Sequence, residues 1–296
     1  MSENVTNTLY PESGIKLFAS SYYVLGSILL LFAILYVLLT IRVTFEEKNE
    51  GQGQFGAQIS YVVAIFVKSF GLIISGIFLT VKAPTDADHV FFDKYSVLPG
   101  GIPGYTSAIA YCFIFFSWCS VCYSYLEKQA SKFYDKSRGV LITLITIIVI
   151  LFLISFICML AVNVKIFHRV EQGVAITRDL ILAIMFIIYL SKVYKLFEEP
   201  CPGFNSPETK LFVLCLILII SLISRPISIA IYSIWTNPPG SLKNRSEFSL
   251  AYFFIFLVEF LITEIIPLAS VGWTRLFGTN KRTTMSEDMT TFIAIV

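Results

Sequence analysis

Histidine, charge and loop cysteine are all scarce in this chain, and each scarcity removes a class of function. Its 296 residues include two histidines, His89 and His168, far apart and outside the apolar runs. There is no helical His-x-x-x-His and no carboxylate–histidine cluster, so the usual metal-site patterns are missing. Only 14% of residues are charged, where a soluble domain carries nearer a quarter. A net charge of +2 points neither to nucleic acid nor to a strongly acidic partner. Of six cysteines, Cys112, Cys119, Cys122, Cys158 and Cys215 lie in apolar stretches and only Cys201 in a loop, so no disulfide framework is implied. Cys119 and Cys122 spell Cys-x-x-Cys, but without a βαβ context they read as packing residues. No Gly-x-Ser-x-Gly, P-loop or metal cluster is present, so the expectation is a non-enzyme without a cofactor. The N-terminal segment has no cleavage pattern at the end of the first apolar run, so no signal peptide is expected.

What the chain has is apolar length. It is 56% hydrophobic, with a mean hydropathy of +0.77. A helix needs about 20 apolar residues to cross the bilayer. Seven stretches qualify: Tyr22–Val43, Ile59–Val81, Tyr105–Leu126, Gly139–Val162, Thr177–Phe197, Lys210–Trp235 and Phe248–Phe277. The fold class expected is therefore all-α, a polytopic seven-helix membrane bundle. Residues 1–21 form a short non-cytosolic segment, 22–277 the transmembrane domain and 278–296 a cytosolic tail. Turn residues such as Pro99-Gly-Gly-Ile-Pro103 separate the runs, and no internal repeat is visible. The last two runs are expected to organise the bundle, and Gly139–Val162, without a charge, to face lipid most. Gly71 with Ser75, and Ser224 with Ser228, have the small-xxx-small spacing of close helix packing.

Orientation follows from lysine and arginine beside the spans. Seven lie on the side of the N-terminal segment and twelve on the other, which places the N-terminus outside and the C-terminus in the cytosol. The sequons at Asn4 and Asn244, the glycosylation candidates, both fall on the outer side.

Four charges lie deep in the runs: Lys68, Arg225, Glu259 and Glu264. Charge at such depth is costly, faces the bundle interior and has a partner. At 1.5 Å per residue, Arg225 lies ~15 Å and Glu259 ~16 Å from the outer end, with Lys68 at ~20 Å and Glu264 at ~24 Å. Depth pairs Arg225 with Glu259 and Lys68 with Glu264, and leaves Arg225 with Glu264 as the alternative. The two glutamates stand five residues apart, ~140° around a regular helix. Pro267 and Pro226 break helical hydrogen bonds, freeing the carbonyls of Thr263 and Leu222. Arg178 and Asp179 read instead as the first turn of the fifth helix, capped by Thr177.

Seven helices with an outer N-terminus suggest a rhodopsin-like receptor, but Tyr123-Ser-Tyr-Leu-Glu-Lys128 stands in place of Asp-Arg-Tyr, and Glu264-Ile-Ile-Pro267 in place of Asn-Pro-x-x-Tyr. Phe115-Phe-Ser-Trp118 with Tyr123, Leu222-Ile-Ser-Arg225, and Thr263-Glu-Ile-Ile-Pro-Leu-Ala-Ser270 carry a different likeness. In these stretches the chain resembles the plant tobamovirus multiplication proteins and their seven-helix relatives in other eukaryotes. Trp118, Arg225, Glu264 and Pro267 are the motif positions. The chain departs from the family pattern at Ser120 and after the last run, at Phe277-Gly-Thr-Asn-Lys-Arg282. The resemblance implies a non-catalytic protein of vacuolar or lysosomal endomembranes, with the plasma membrane as the alternative address. It would lie in the lipid bilayer and act as a scaffold or adaptor through protein partners on its cytosolic face. Two other functions stay open on the residues alone: a sensor of a small-molecule ligand in the outer half of the bundle, and a small-solute or proton-coupled transporter.

Overall fold

The structure is a computed structural model that describes residues 12–46, 52–81, 97–127, 130–162, 164–195, 207–235, 254, 257–267 and 269–270. These form six long helices: α1 (Glu12–Glu46), α2 (Gln52–Val81), α3 (Val97–Glu127), α4 (Ala130–Ala161), α5 (Val164–Tyr194) and α6 (Pro207–Trp235). Part of the seventh run follows as α7 (257–267), with a π-helical turn over Leu261–Ile265. No strand occurs among the described residues. All six long helices are long and apolar enough to cross a membrane. The all-α expectation therefore holds for the described residues, which contain six such helices, and the chain reads as a multi-pass membrane protein. Asn4, Asn244 and the tail 278–296 lie outside the described residues, as do most of the connections that orientation rests on.

Polarity is arranged as lipid requires. Leu31, Ile157 and Leu160 are 58–60% exposed, while Arg178, Asp179 and Glu264 are buried. In hydrocarbon the backbone must satisfy its own hydrogen bonds, which a helix does. Hydroxyls on the exposed faces obey the same rule. Thr143, Thr146, Thr177, Ser191 and Ser224 each donate to the carbonyl four residues back, at 2.7–2.8 Å.

The centre of the bundle is α3, and not the last two runs. Its span is 72% buried, against 39% for α6 and 22% for α1 and α4. It packs on α2, α4, α5 and α6. Its small side chains explain the position: Ser107, Ala108, Ala110 and Cys112 let four neighbours approach. Phe115 stacks flat on Phe186 of α5 with ring centroids 3.9 Å apart, and Phe116 meets Tyr189 edge-on. Trp118 and Cys119 are buried in the same core. The expectation that α4 faces lipid most holds in part, since α1 equals it.

Every long helix begins before its apolar run, and two of these starts change the reading. α3 begins at Val97 and takes the supposed turn 99–103 into its first turns. Pro99 lacks only a donor that a helix start leaves unused, whereas Pro103, inside the helix, forgoes the bond to the Pro99 carbonyl; the Thr106 hydroxyl reaches the Pro103 carbonyl at 3.0 Å. α5 begins at Val164, well before Thr177. Thr177 is no cap; its hydroxyl bonds back to Gly173 within a continuous helix.

The α1–α2 contact is the most extensive in the bundle and depends on Gly26. A Cβ there would stand 2.8 Å from Ile73 Cγ1 and 3.1 Å from the Ser69 carbonyl oxygen. The close approach also lets the Ser69 hydroxyl donate to the Gly26 carbonyl at 2.7 Å. Gly26→Ala is therefore expected to cost about 1–3 kcal/mol in thermal unfolding of the detergent-purified protein. Gly139→Ala, whose Cβ meets nothing within 4 Å, should stay within about 0.5 kcal/mol of the parent. Equal effects at the two sites would contradict the packing.

Candidate functional site

The site begins with a missing hydrogen bond. Pro267, fully buried, has no N–H to give the Thr263 carbonyl. That carbonyl instead accepts from the Ser221 hydroxyl of α6 at 2.8 Å and from the Tyr111 hydroxyl of α3 at 3.4 Å. The expectation of a freed carbonyl holds, and neighbouring hydroxyls satisfy it. Just before the proline the helix widens, and the Ile266 N–H bonds to Leu261 O, five residues back. A π turn carries an extra residue, so side chains five apart no longer point ~140° away from each other as in a regular helix. Glu259 and Glu264 consequently line one cavity.

Around Glu264 the charges form a chain of alternating sign. Lys68 Nζ of α2 and Arg225 Nη2 of α6 both donate to the same oxygen, Glu264 Oε1. Arg225 Nη1 lies 3.8 Å from Asp179 Oδ2 of α5. Arg178 Nε donates to Asp179 Oδ1 at 2.7 Å, and the Arg178 guanidinium lies 4.8 Å over the Tyr105 ring of α3. Asp179 Oδ2 is buried and has no hydrogen bond among the described residues. Three cations and two carboxylates thus link α2, α7, α6 and α5.

The pairings differ from those depth alone predicts. Lys68 meets Glu264, as expected, but Arg225 also meets Glu264 and not Glu259. The π turn changes the direction of the two carboxylates, while their depths are counted from Phe248, which lies outside the described residues. Of the motif positions, Arg225, Glu264 and Pro267 come together, while Trp118 belongs to the apolar core away from them. Pro226 is buried within an uninterrupted α6 beside Arg225. Ser75, expected only to pack, donates to the Gly71 carbonyl at 2.8 Å and lines the cavity.

The cavity has a volume of about 330 Å³. Its charged wall is Lys68, Arg178, Arg225, Glu171, Glu259 and Glu264, with Tyr22, Ser75 and Thr263 among the polar contributors. It draws on the first halves of α1, α3 and α5, the second halves of α2 and α6, and α7, so it occupies one half of the bundle. Gly101 and Gly104 make room for the α5 charges. A Cβ on Gly104 would stand 3.1 Å from Arg178 Nη1, and one on Gly101 3.2 Å from Glu171 Oε1.

Glu171, Arg178 and Asp179 are the site residues that sequence reasoning missed. A signal existed: Glu171 and Arg178 are seven residues apart, two turns along one helical face. Starting the helix at Thr177 hid it. No group of three or more metal-ligating side chains occurs among the described residues. What the arrangement offers is fixed charge of both signs around a shared space, where low dielectric strengthens each interaction. Compared with family models, curated proteins and solved structures, the chain matches none.

Proposed function

We propose that this chain is a membrane sensor that receives a small polar solute in the cavity at the N-terminal end of its bundle. The observation that carries this reading is the cavity itself: both signs of charge, supplied by α2, α5, α6 and α7, line a volume within the range of small-ligand sites. A carrier is the weaker reading. Towards the opposite end the described residues are an apolar core that includes Tyr61, Phe115, Leu218 and Leu222, so the cavity has a floor. The scaffold reading rests on the family resemblance and concerns that opposite end, where cytosolic partners would register whether the cavity is filled. The same resemblance supports an endomembrane address of vacuolar or lysosomal type.

Access to the cavity is the test. Ser75→Cys in sealed vesicles is expected to react with a charged, membrane-impermeant thiol reagent, giving one adduct more than the parent chain by intact mass. Cys112 and Cys215, buried in the core, supply the unreactive background. An unreactive Ser75→Cys would refute a solute-accessible cavity.

A further inference from the structure

The ion pairing in the cavity specifies the ligand more closely than its size does. Arg178, Arg225 and Lys68 are matched by only two carboxylates, Asp179 and Glu264, so the linked group carries one excess positive charge. Lys68 and Arg225 share a single carboxylate oxygen, and the Lys68 ammonium has further donors to give. On the same wall, Glu259 and Glu171 form no ion pair among the described residues. Groups of both signs therefore keep hydrogen-bonding capacity to spare around one half-open cavity.

We propose that the ligand is a small zwitterion of amino-acid type, its ammonium held by Glu259 and Glu171 and its anionic group by Lys68 and Arg225. This inference rests on the sensor reading above and names the ligand class for the same cavity. A solute of one sign would satisfy one set of groups and be repelled by the other, whereas a zwitterion of short span meets both. An inorganic cation would face Lys68 and Arg225 with no cluster of three ligating side chains among the described residues to hold it. A volume of about 330 Å³ is at the small end of ligand pockets and suits a compact solute more than a lipid.

Three pools, each at millimolar concentration, test the proposal on the wild-type chain in maltoside detergent: the protein amino acids, their N-acetyl derivatives and their C-terminal amides. The free amino acids are expected to raise the melting temperature by about 3 °C or more, and either blocked pool by less than about 1 °C. In Glu259→Gln the response to the free pool should fall at least severalfold. An equal response to the N-acetyl pool would show an anion site, and an equal response to the amides a cation site; either overturns the zwitterion. If no pool acts while Ser75→Cys is labelled, the zwitterion proposal falls and the open cavity stands. If Ser75→Cys also resists labelling, both fall. The wild-type responses decide between these outcomes, so a Glu259→Gln chain that failed to fold would not obscure them.

Discussion

Glu264→Gln is expected to lower the melting temperature of the purified protein more than removal of either cation that it binds. Glu264 is the shared partner of Lys68 and Arg225, so its loss leaves two cations at once without their principal contact. Lys68→Leu leaves Arg225 on Glu264, and Arg225→Leu leaves Lys68 there; in each case the carboxylate stays matched. Orphaning one member of a buried pair costs about 3–5 kcal/mol in soluble interiors, and less in a bilayer, where separated helices find other partners. Arg225→Leu should rank second, because it also removes the cation that faces the buried Asp179. Adding Lys68→Leu to Glu264→Gln should recover part of the loss, with a coupling of about 0.5–3 kcal/mol, since the remaining Arg225 keeps Asp179. A Glu264→Gln chain that melts no lower than Lys68→Leu would show that the two cations do not share one carboxylate.

The second large effect is expected at Asp179. Its side chain is fully buried and holds Arg178 at 2.7 Å while facing Arg225 at 3.8 Å. Asp179→Asn should therefore cost about 3–5 kcal/mol for the same physical reason, again reduced in the bilayer. A helix-start role makes a sharply different forecast. A carboxylate in an exposed first turn contributes only about 0.3–1 kcal/mol through the helix dipole. Thermal unfolding in matched detergent separates the two, and a loss below about 1 kcal/mol would return Asp179 to a helix start.

These residues also show how much is legible in the sequence alone. The long apolar runs were legible because crossing a bilayer demands length and hydropathy, and neither depends on neighbours. The role of α3 was not. It is the least apolar of the six described spans, since small and polar side chains suit a helix surrounded by other helices. Hydropathy ranks lipid contact, and so ranks the central helix last. Lys68, Arg225, Glu259 and Glu264 stood out by being charged in apolar runs, and all four line the cavity. Their partners did not stand out, because depth arithmetic depends on where each span is taken to begin, and facing angles assume a regular 3.6-residue turn that α7 does not keep where the charges lie. Arg178 and Asp179 were lost to a capping rule that is sound for a helix end and inapplicable in mid-helix. The trio Arg225, Glu264 and Pro267 was picked out by resemblance and meets in space; the cavity beside it has no signature in one dimension.

The Thr263 carbonyl has a consequence for how α7 is seated. Helices in lipid lack a strong hydrophobic incentive to choose one face over another, so an apolar segment could slide or turn against its neighbours at little cost. Ser221 and Tyr111 approach from two different helices and meet at one α7 oxygen, which can accept from both because no backbone N–H takes a share of it. Along a regular stretch every carbonyl is occupied, and only the proline leaves one open. Moving α7 by a single residue would present the two hydroxyls with an oxygen that already accepts one backbone N–H and has room for one of them, not both. Pro267 thus acts as an index mark that sets the vertical and rotational position of the helix. The two carboxylates that α7 carries owe their aim to that mark.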